Sequence, residues 1–177
     1  MLQRFQSLDP VYRFLILFGT LALVWYFLYQ LVILPYTNLD MFVVDVTISF
    51  SKGVLELFGF SVFTETRVIR IAGTSGLWIG NNCDALSLFA LFTGFILAFP
   101  GKVKSKYWYI PLGITLIFLV NSFRIVALAI IDTYSREWTK FNHSYTFNII
   151  IYGFILLLWM YWVNRFSFAK KSERKQQ

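Results

Sequence analysis

The chain is poor in charged residues and in the side chains that bind metals or form cross-links. Only 14% of its 177 residues are charged, and it contains one cysteine and one histidine. A single cysteine excludes an internal disulfide and any two-cysteine metal motif. The remaining residues lack the ligand spacing of a zinc site. We therefore expect neither a metal nor another cofactor.

Apolar and aromatic residues are abundant instead. The chain is 58% hydrophobic and 20% aromatic, which is more apolar surface than a soluble domain can solvate. Several apolar runs approach or exceed the ~18 residues that cross a bilayer as a helix. The sequence predicts one all-α polytopic membrane domain over residues 1–177. The net charge of +7 then indicates membrane topology rather than binding to nucleic acid.

Four runs are long and apolar enough to be transmembrane helices. They cover approximately residues 14–34, 84–100, 107–131 and 143–163. Basic segments flank them: the N-terminus, the loop 101–106 and the tail 164–177 together hold ten Lys and Arg against two acids, whereas the other side holds five against seven. Because basic loops stay in the cytoplasm, we expect a multi-pass protein of the cytoplasmic (inner) membrane with both termini inside.

Two stretches between the first two runs are predicted to stay on the outer side. Residues 38–60 form an amphipathic helix in the outer interface, with one polar and one apolar face at helical spacing. The polar face is Asp45, Ser49, Lys52 and Glu56, and the apolar face is Phe42, Val46, Phe50 and Leu57. Residues 61–82 predict a small external β-hairpin, with strand-forming segments 66–71 and 77–79 around the turn 73–76.

Three reactive or charged side chains are predicted to meet at the outer face. Cys83 and His143 each begin a span there, and Arg124 lies within its span about 10 Å from the outer end at ~1.5 Å per residue. A thiol becomes a nucleophile as the thiolate, which a helix N-terminus or a cation favours. A histidine can transfer the proton, and an arginine can stabilise the oxyanion. The group therefore predicts a cysteine-dependent acyl-transfer site that faces outward.

The neighbours of Cys83 leave alternatives open. Asn82 is a candidate cap for the helix that follows. Asp84 either opposes formation of the thiolate or acts as a favourable charge at the helix N-terminus. Arg124 has the alternative role of a structural ion pair with Asp132 or Glu137.

The same residues resemble the exosortase/archaeosortase family of membrane transpeptidase-like enzymes. The resemblance rests on Cys83 at the start of a span, on Asn121-Ser122-Phe123-Arg124-Ile125 within the next, and on His143 at the start of the one after. It covers roughly residues 60–163 and resembles the compact single-domain members. Cys83 is followed by Asp84-Ala85, whereas family members commonly have a small residue and glycine there.

The resemblance implies a Cys83, Arg124 and His143 site, with Asn121 in support, that cleaves a C-terminal sorting signal of exported proteins. Such signals consist of a short motif, a transmembrane segment and a basic tail, and the cargo is transferred to a surface acceptor that the sequence does not identify. The hairpin is either a spacer or a substrate-binding element in which the segment 66–71 offers an unpaired strand edge to the substrate. The candidate binding residues are Arg67, Ile69, Ile71 and Trp78.

Two other functions remain open at this point. In a non-catalytic membrane scaffold, Arg124 is a structural ion partner and Cys83 is inert. In an assembly subunit of a transporter, Arg124 lines a path for anions, which requires further polar residues within the spans. Membrane lipid is the expected environment in each case.

Overall fold

The structure is a computed structural model that describes residues 9–80 and 85–166, with the backbone alone for Pro10, Lys140, His143 and Ser144. Its elements in chain order are helix α1 (Pro10–Leu28), the π-helical segment π1 (Tyr29–Ile33), helices α2 (Leu34–Tyr36) and α3 (Leu39–Leu57), strands β1 (Val62–Glu65), β2 (Val68–Ile71) and β3 (Leu77–Trp78), helices α4 (Ala85–Ala98), α5 (Val103–Asp132) and α6 (Arg136–Phe141), the π-helical segment π2 (Asn142–Thr146) and helix α7 (Phe147–Phe166).

Four helical stretches correspond to the predicted spans. Three of them are long and apolar enough to cross a membrane, Val11–Tyr36, Val103–Asp132 and Phe147–Phe166, and α4 is a shorter apolar helix. The all-α polytopic class is therefore confirmed. The helices α4 and α5 differ greatly in length, with 14 and 30 residues, or about 21 and 45 Å at a rise of ~1.5 Å per residue. α5 begins at Val103, inside the stretch predicted to be a loop.

Helix α3 forms where an amphipathic helix is predicted. The face that it packs against the rest of the protein is a third one, which the predicted polar and apolar faces do not include. Val44, Ile48 and Leu55 are buried in a core shared with α5 and the strands. On the same face the Ser51 hydroxyl donates a hydrogen bond to the Ser122 carbonyl oxygen at 3.2 Å. The helix is thus packed lengthwise on α5, while most of its predicted apolar face, such as Phe42, stays exposed.

The predicted hairpin is part of a three-stranded antiparallel sheet in the order β1-β2-β3. β2 and β3 form the hairpin, with Ile69 opposite Leu77, and β1 adds a strand with Val62 opposite Ile71. Thr66 and Arg67 form a turn rather than the start of a strand. Because β2 is central, the prediction that the segment 66–71 offers an unpaired edge is wrong.

Two hydrophobic cores lie along α5. Near its Asp132 end, Ile125, Val126 and Ala129 pack against α3 and the sheet. Near its Val103 end, residues of α4, α5 and α7 form a second core rich in aromatic side chains. There the ring of Phe92 rests on Gly113, where an added Cβ would come within 2.2 Å of the ring. This close approach of α4 and α5 determines where the first turn of α4 lies.

Candidate functional site

The side chain of Arg124 is buried on helix α5. It is 5% exposed, and Asn121 and Ser122, on the same helix, are 1% and 0% exposed. Helix α5 continues for eight residues beyond Arg124, to Asp132, which is about 12 Å at ~1.5 Å per residue. A guanidinium thus occupies a buried position within a membrane-capable helix, and a polar strip runs along the same helix beside it.

The chain reaches the predicted nucleophile from the sheet. Ile79 is 2% exposed, and Gly80 is buried against Trp78, whose ring lies 2.4 Å from where a Cβ on Gly80 would stand. Ala85, the first residue of α4, is 0% exposed. Cys83, Asn82 and Asp84 lie outside the described residues. The described residues that flank them on both sides are therefore buried.

His143 lies inside a helix rather than at its start. The helical stretch begins at Arg136 and continues through π2 into α7. His143 is the second residue of the π-helical segment π2. Single π turns within α-helices are frequent at functional sites. Only the backbone of His143 is described.

Contacts between α5 and α7 give the relative heights of Arg124 and His143. The Tyr109 hydroxyl donates a hydrogen bond to the Leu158 carbonyl oxygen at 2.7 Å. Fifteen residues separate Tyr109 from Arg124 on α5, and fifteen separate Leu158 from His143 on the antiparallel stretch, about 22 Å in each case. The two backbones therefore lie at similar heights in the bundle.

The start of α4 lies somewhat nearer the Val103 end of α5. Phe92 packs against Tyr109 with 5.9 Å between ring centroids and rests on Gly113. Ala85 lies about 10 Å from Phe92 along α4, at ~1.5 Å per residue. In the same direction, Asn121 lies about 12 Å from Gly113 along the antiparallel α5. The first residue of α4 therefore lies about level with Asn121, one helical turn (~5 Å) short of the layer that holds Arg124 and His143.

The four candidate substrate-binding residues of the hairpin have different surroundings. Ile69 and Ile71 are 0% and 5% exposed and belong to the core beneath the sheet, while Trp78 is 62% exposed. Arg67 forms an ion pair with Asp40 whose side chains are 14% and 5% exposed. Of these four, Trp78 alone presents most of its side chain at the surface.

The Asp40–Arg67 pair is a feature that sequence reasoning missed. Asp40 also accepts a hydrogen bond from the Tyr29 hydroxyl at 3.3 Å, so π1, α3 and the β1–β2 turn meet at this carboxylate. The two partners are 27 residues apart in the chain. No local pattern joins them, and the polar spacing of α3 places Asp45 rather than Asp40 on its polar face.

A partly open cavity of about 590 Å³ lies between α1, α4 and α7. Its floor on α4 includes Ser87, Ala90 and Gly94, and its walls carry aromatic side chains such as Trp25 and Tyr152. The upper end at Ser87 is two residues from Ala85. The cavity thus extends along α4 from Gly94 to Ser87, near the start of that helix.

Within residues 9–80 and 85–166, no group of three or more His, Cys, Asp or Glu side chains comes together to hold a metal. The expectation of a site without metal or cofactor stays a prediction, because Cys83, Asp84 and the His143 side chain are not among the groups described.

Of the comparisons with known proteins, the one with family models finds a match. No curated protein and no solved structure matches the chain. The family model described as transmembrane exosortase (Exosortase_EpsH) matches residues 12–163, which reach from the first turn of α1 to the last turn of α7 and include the sheet. The resemblance to exosortases is confirmed, and the chain belongs to the transmembrane exosortase family of membrane protein-sorting enzymes.

Proposed function

We propose that the protein is a membrane-embedded cysteine peptidase or transpeptidase that cleaves a C-terminal sorting signal from exported proteins. Family membership supports a protein-sorting enzyme. The observation that carries the chemical proposal is Arg124, which is 5% exposed within a 30-residue membrane-capable helix. An arginine within a span costs at least ~2.5 kcal/mol on insertion scales, so such residues are commonly functional. Its height matches that of His143.

Cys83 is the proposed nucleophile. Its thiol proton passes to the His143 imidazole, and the thiolate sulfur bonds to the carbonyl carbon of the scissile peptide. The C=O electron pair moves onto oxygen, and Arg124 donates hydrogen bonds to this oxyanion or, earlier, stabilises the thiolate. When the carbonyl re-forms, the C–N bond breaks and the imidazolium protonates the leaving amine. Cys83 then carries the cargo as a thioester.

An acceptor nucleophile completes the reaction. It attacks the thioester carbonyl carbon, transfers its proton through His143 and releases the Cys83 thiol, which gives transpeptidation with an amine acceptor and hydrolysis with water. Asn121 is 1% exposed and lies one turn before Arg124 on α5. We propose that it orients the polar side chains on this part of α5. Asn82 and Asp84 flank the nucleophile in sequence and are proposed to support it.

The proposed substrate is an exported protein with a short motif, a transmembrane segment and a basic tail. We assign its apolar segment to the cavity between α1, α4 and α7, because the small residues Ala90 and Gly94 line the floor and small residues let helices approach closely in a membrane. Ser87, at the upper end of the cavity, is four residues from Cys83 in the chain. Trp78, exposed on the sheet, is the proposed contact for the extended motif.

The active layer is proposed to face outward in an inner membrane, with both termini in the cytoplasm. The support is the charge distribution, ten Lys and Arg against two acids on the proposed cytoplasmic side, as the positive-inside rule requires. The Asp132 end of α5, nearest Arg124, is then the outer end. Lipid surrounds the helices, and nucleic acid has no part in this function.

Trapping the thioester tests the proposal. The protein is co-expressed with an export-competent cargo that ends in a motif, an apolar segment and a basic tail. We expect a covalent Cys83–cargo adduct that hydroxylamine releases and that mass spectrometry assigns to the Cys83 peptide. The matched controls are Cys83→Ala, in which the adduct is lost, and Cys83→Ser, in which processing falls by several orders of magnitude. Full processing by Cys83→Ser would overturn the proposal.

A further inference from the structure

The turn between β1 and β2 is built around a buried ion pair. Arg67 occupies this turn with a backbone φ of 60°, a conformation that costs energy for a residue with a Cβ. Its guanidinium pairs with the carboxylate of Asp40, a buried residue at the start of α3. A glycine or asparagine would adopt this backbone conformation at a lower cost in free energy. The contacts of the Arg67 side chain therefore account for an arginine at this position.

The same guanidinium also contacts the strand that leads towards Cys83. Arg67 Nη1 donates a hydrogen bond to the Ile79 carbonyl oxygen at 3.3 Å, and the Ile79 amide donates to the Arg67 carbonyl oxygen at 2.7 Å. Arg67 Nε donates to the Met41 sulfur at 3.2 Å. The Arg67 side chain therefore joins the first turn of α3 to Ile79, the residue that follows β3.

The other side of the ion pair contacts a small hydrophobic core. Asp40 accepts a hydrogen bond from Tyr29 in π1 at 3.3 Å, and Tyr29 packs in a small core with Ile33 and Leu86. Leu86 belongs to the first turn of α4. The Asp40 carboxylate is thus held by groups that also contact the helix on the far side of Cys83.

We infer that the Asp40–Arg67 pair is a positioning device for the segment that carries Cys83. The clamp formed by Asp40, Arg67 and Ile79 holds the residue four positions before Cys83, and the Tyr29–Leu86 core holds the residue three positions after it. The inference rests on the proposed function in one respect, which is that Cys83 is the nucleophile whose placement matters. Asp40 and Arg67 act through the backbone and take no part in bond making.

Alkylation of Cys83 measures this placement directly, because Cys83 is the only cysteine of the chain. The full-length protein is purified in detergent, and its second-order rate with iodoacetamide is followed from pH 5 to 10. The informative variant is Arg67→Lys, which keeps a charge for Asp40 but lacks the planar fork that contacts Asp40 and Ile79 together. We expect a change of at least about tenfold in the rate at pH 7, or a shift of the half-maximal pH by about one unit, which corresponds to tenfold in the thiolate equilibrium.

The matched control is the exposed ion pair on the same helix, Lys52–Glu56, whose atoms lie 3.7 Å apart. Glu56→Gln removes an ion pair from α3 and is expected to leave the alkylation profile unchanged. A second variant, Tyr29→Phe, keeps the test open if Arg67→Lys does not fold. It removes one hydrogen bond from Asp40, and we expect it to shift the alkylation profile less than Arg67→Lys does. Folding is checked by monodisperse elution and by the thermal unfolding midpoint.

The clamp and the proposed function fail separately. A folded Arg67→Lys protein with a lower unfolding midpoint and a wild-type alkylation profile overturns the clamp, because the pair is then only structural; if Arg67→Lys does not fold, a wild-type profile in Tyr29→Phe has the same consequence. A Cys83→Ala protein that still processes cargo overturns the proposed function without altering the alkylation result. A shifted profile in Arg67→Lys, with Glu56→Gln unchanged, supports the clamp.

Discussion

The two halves of α5 have opposite surroundings. The Val103 half packs against aromatic side chains of α4 and α7, and Phe92, Tyr109 and Trp162 are each 2% exposed or less. The Asp132 half carries Asn121, Ser122 and Arg124 into the interior and is covered by α3 and the sheet. One helix therefore joins a tightly packed apolar base to a layer with buried polar groups. On the proposed function, the base supports the layer in which the chemistry takes place.

Removing the proposed chemistry should have the largest effect. We expect both Arg124→Lys and Arg124→Ala to slow cargo cleavage by about 10²–10³-fold, the usual loss when an oxyanion donor is removed. Lysine keeps the charge but loses the planar fork of donors. The measurement is the rate of cargo processing in membranes, with protein level and thermal unfolding as controls. Full activity in Arg124→Lys would reduce the role of Arg124 to charge alone.

Disturbing the apolar base should reduce stability instead. Gly113→Ala places a Cβ 2.2 Å from the Phe92 ring, and overpacking of this kind costs roughly 1–3 kcal/mol. We expect a lower thermal unfolding midpoint in detergent and partial recovery in the double variant with Phe92→Leu.

The control for Gly113 is Gly153→Ala on α7, because nothing lies within 4 Å of a Cβ at Gly153. Its unfolding midpoint should not fall. Equal losses in the two variants would contradict the tight α4–α5 contact.

Filling the cavity should affect substrate binding more than the thiol. Gly94→Leu extends a side chain into the space between α1, α4 and α7, where a Cβ meets only Phe18 at 3.9 Å. We expect KM for membrane-anchored cargo to rise several-fold while Cys83 alkylation stays unchanged. Gly19→Leu lies on α1 outside the cavity lining and serves as the control. Equal KM values in Gly94→Leu and wild type would exclude this cavity as the binding site of the cargo's apolar segment.

The smallest perturbation is a tag that reports the side of the membrane. A short epitope at the turn 73–76 should be reached by a membrane-impermeant reagent in intact cells, whereas tags at either terminus should require permeabilisation. The turn contains Gly73 and Gly76 with φ of 85° and 87°, so flanking residues rather than these glycines should be altered. A shielded turn would reverse the assignment of both halves of α5.

Sequence alone predicts the features that depend on local composition. Hydropathy is a property of consecutive residues, so the membrane-capable helices and the position of Arg124 within one of them follow from it. The helical nature of α3 and the β2–β3 hairpin also follow, because amphipathic periodicity and a glycine turn are local signals.

The features it misses depend on distant partners or on backbone without a residue signature. The third face of α3 has meaning only beside Ser122 of α5, and Asp40 only beside Arg67. The β1–β2 turn contains no glycine, proline or asparagine, and the π segments have no composition of their own. The placement of Cys83, the residue on which the proposed chemistry depends most, lies outside the described residues.

On the proposed function, the length of α4 among the described residues bears on which cargo is selected. At 14 residues it is about 21 Å long, roughly 9 Å less than the hydrocarbon core of a typical bilayer. If its Ala98 end lies at one boundary, its Ala85 end lies beneath the other, and the scissile bond must be brought down to that depth. About three extended residues cover the difference. On the proposed function, an exported protein is then selected by the number of residues between its motif and its apolar segment, as well as by the motif itself.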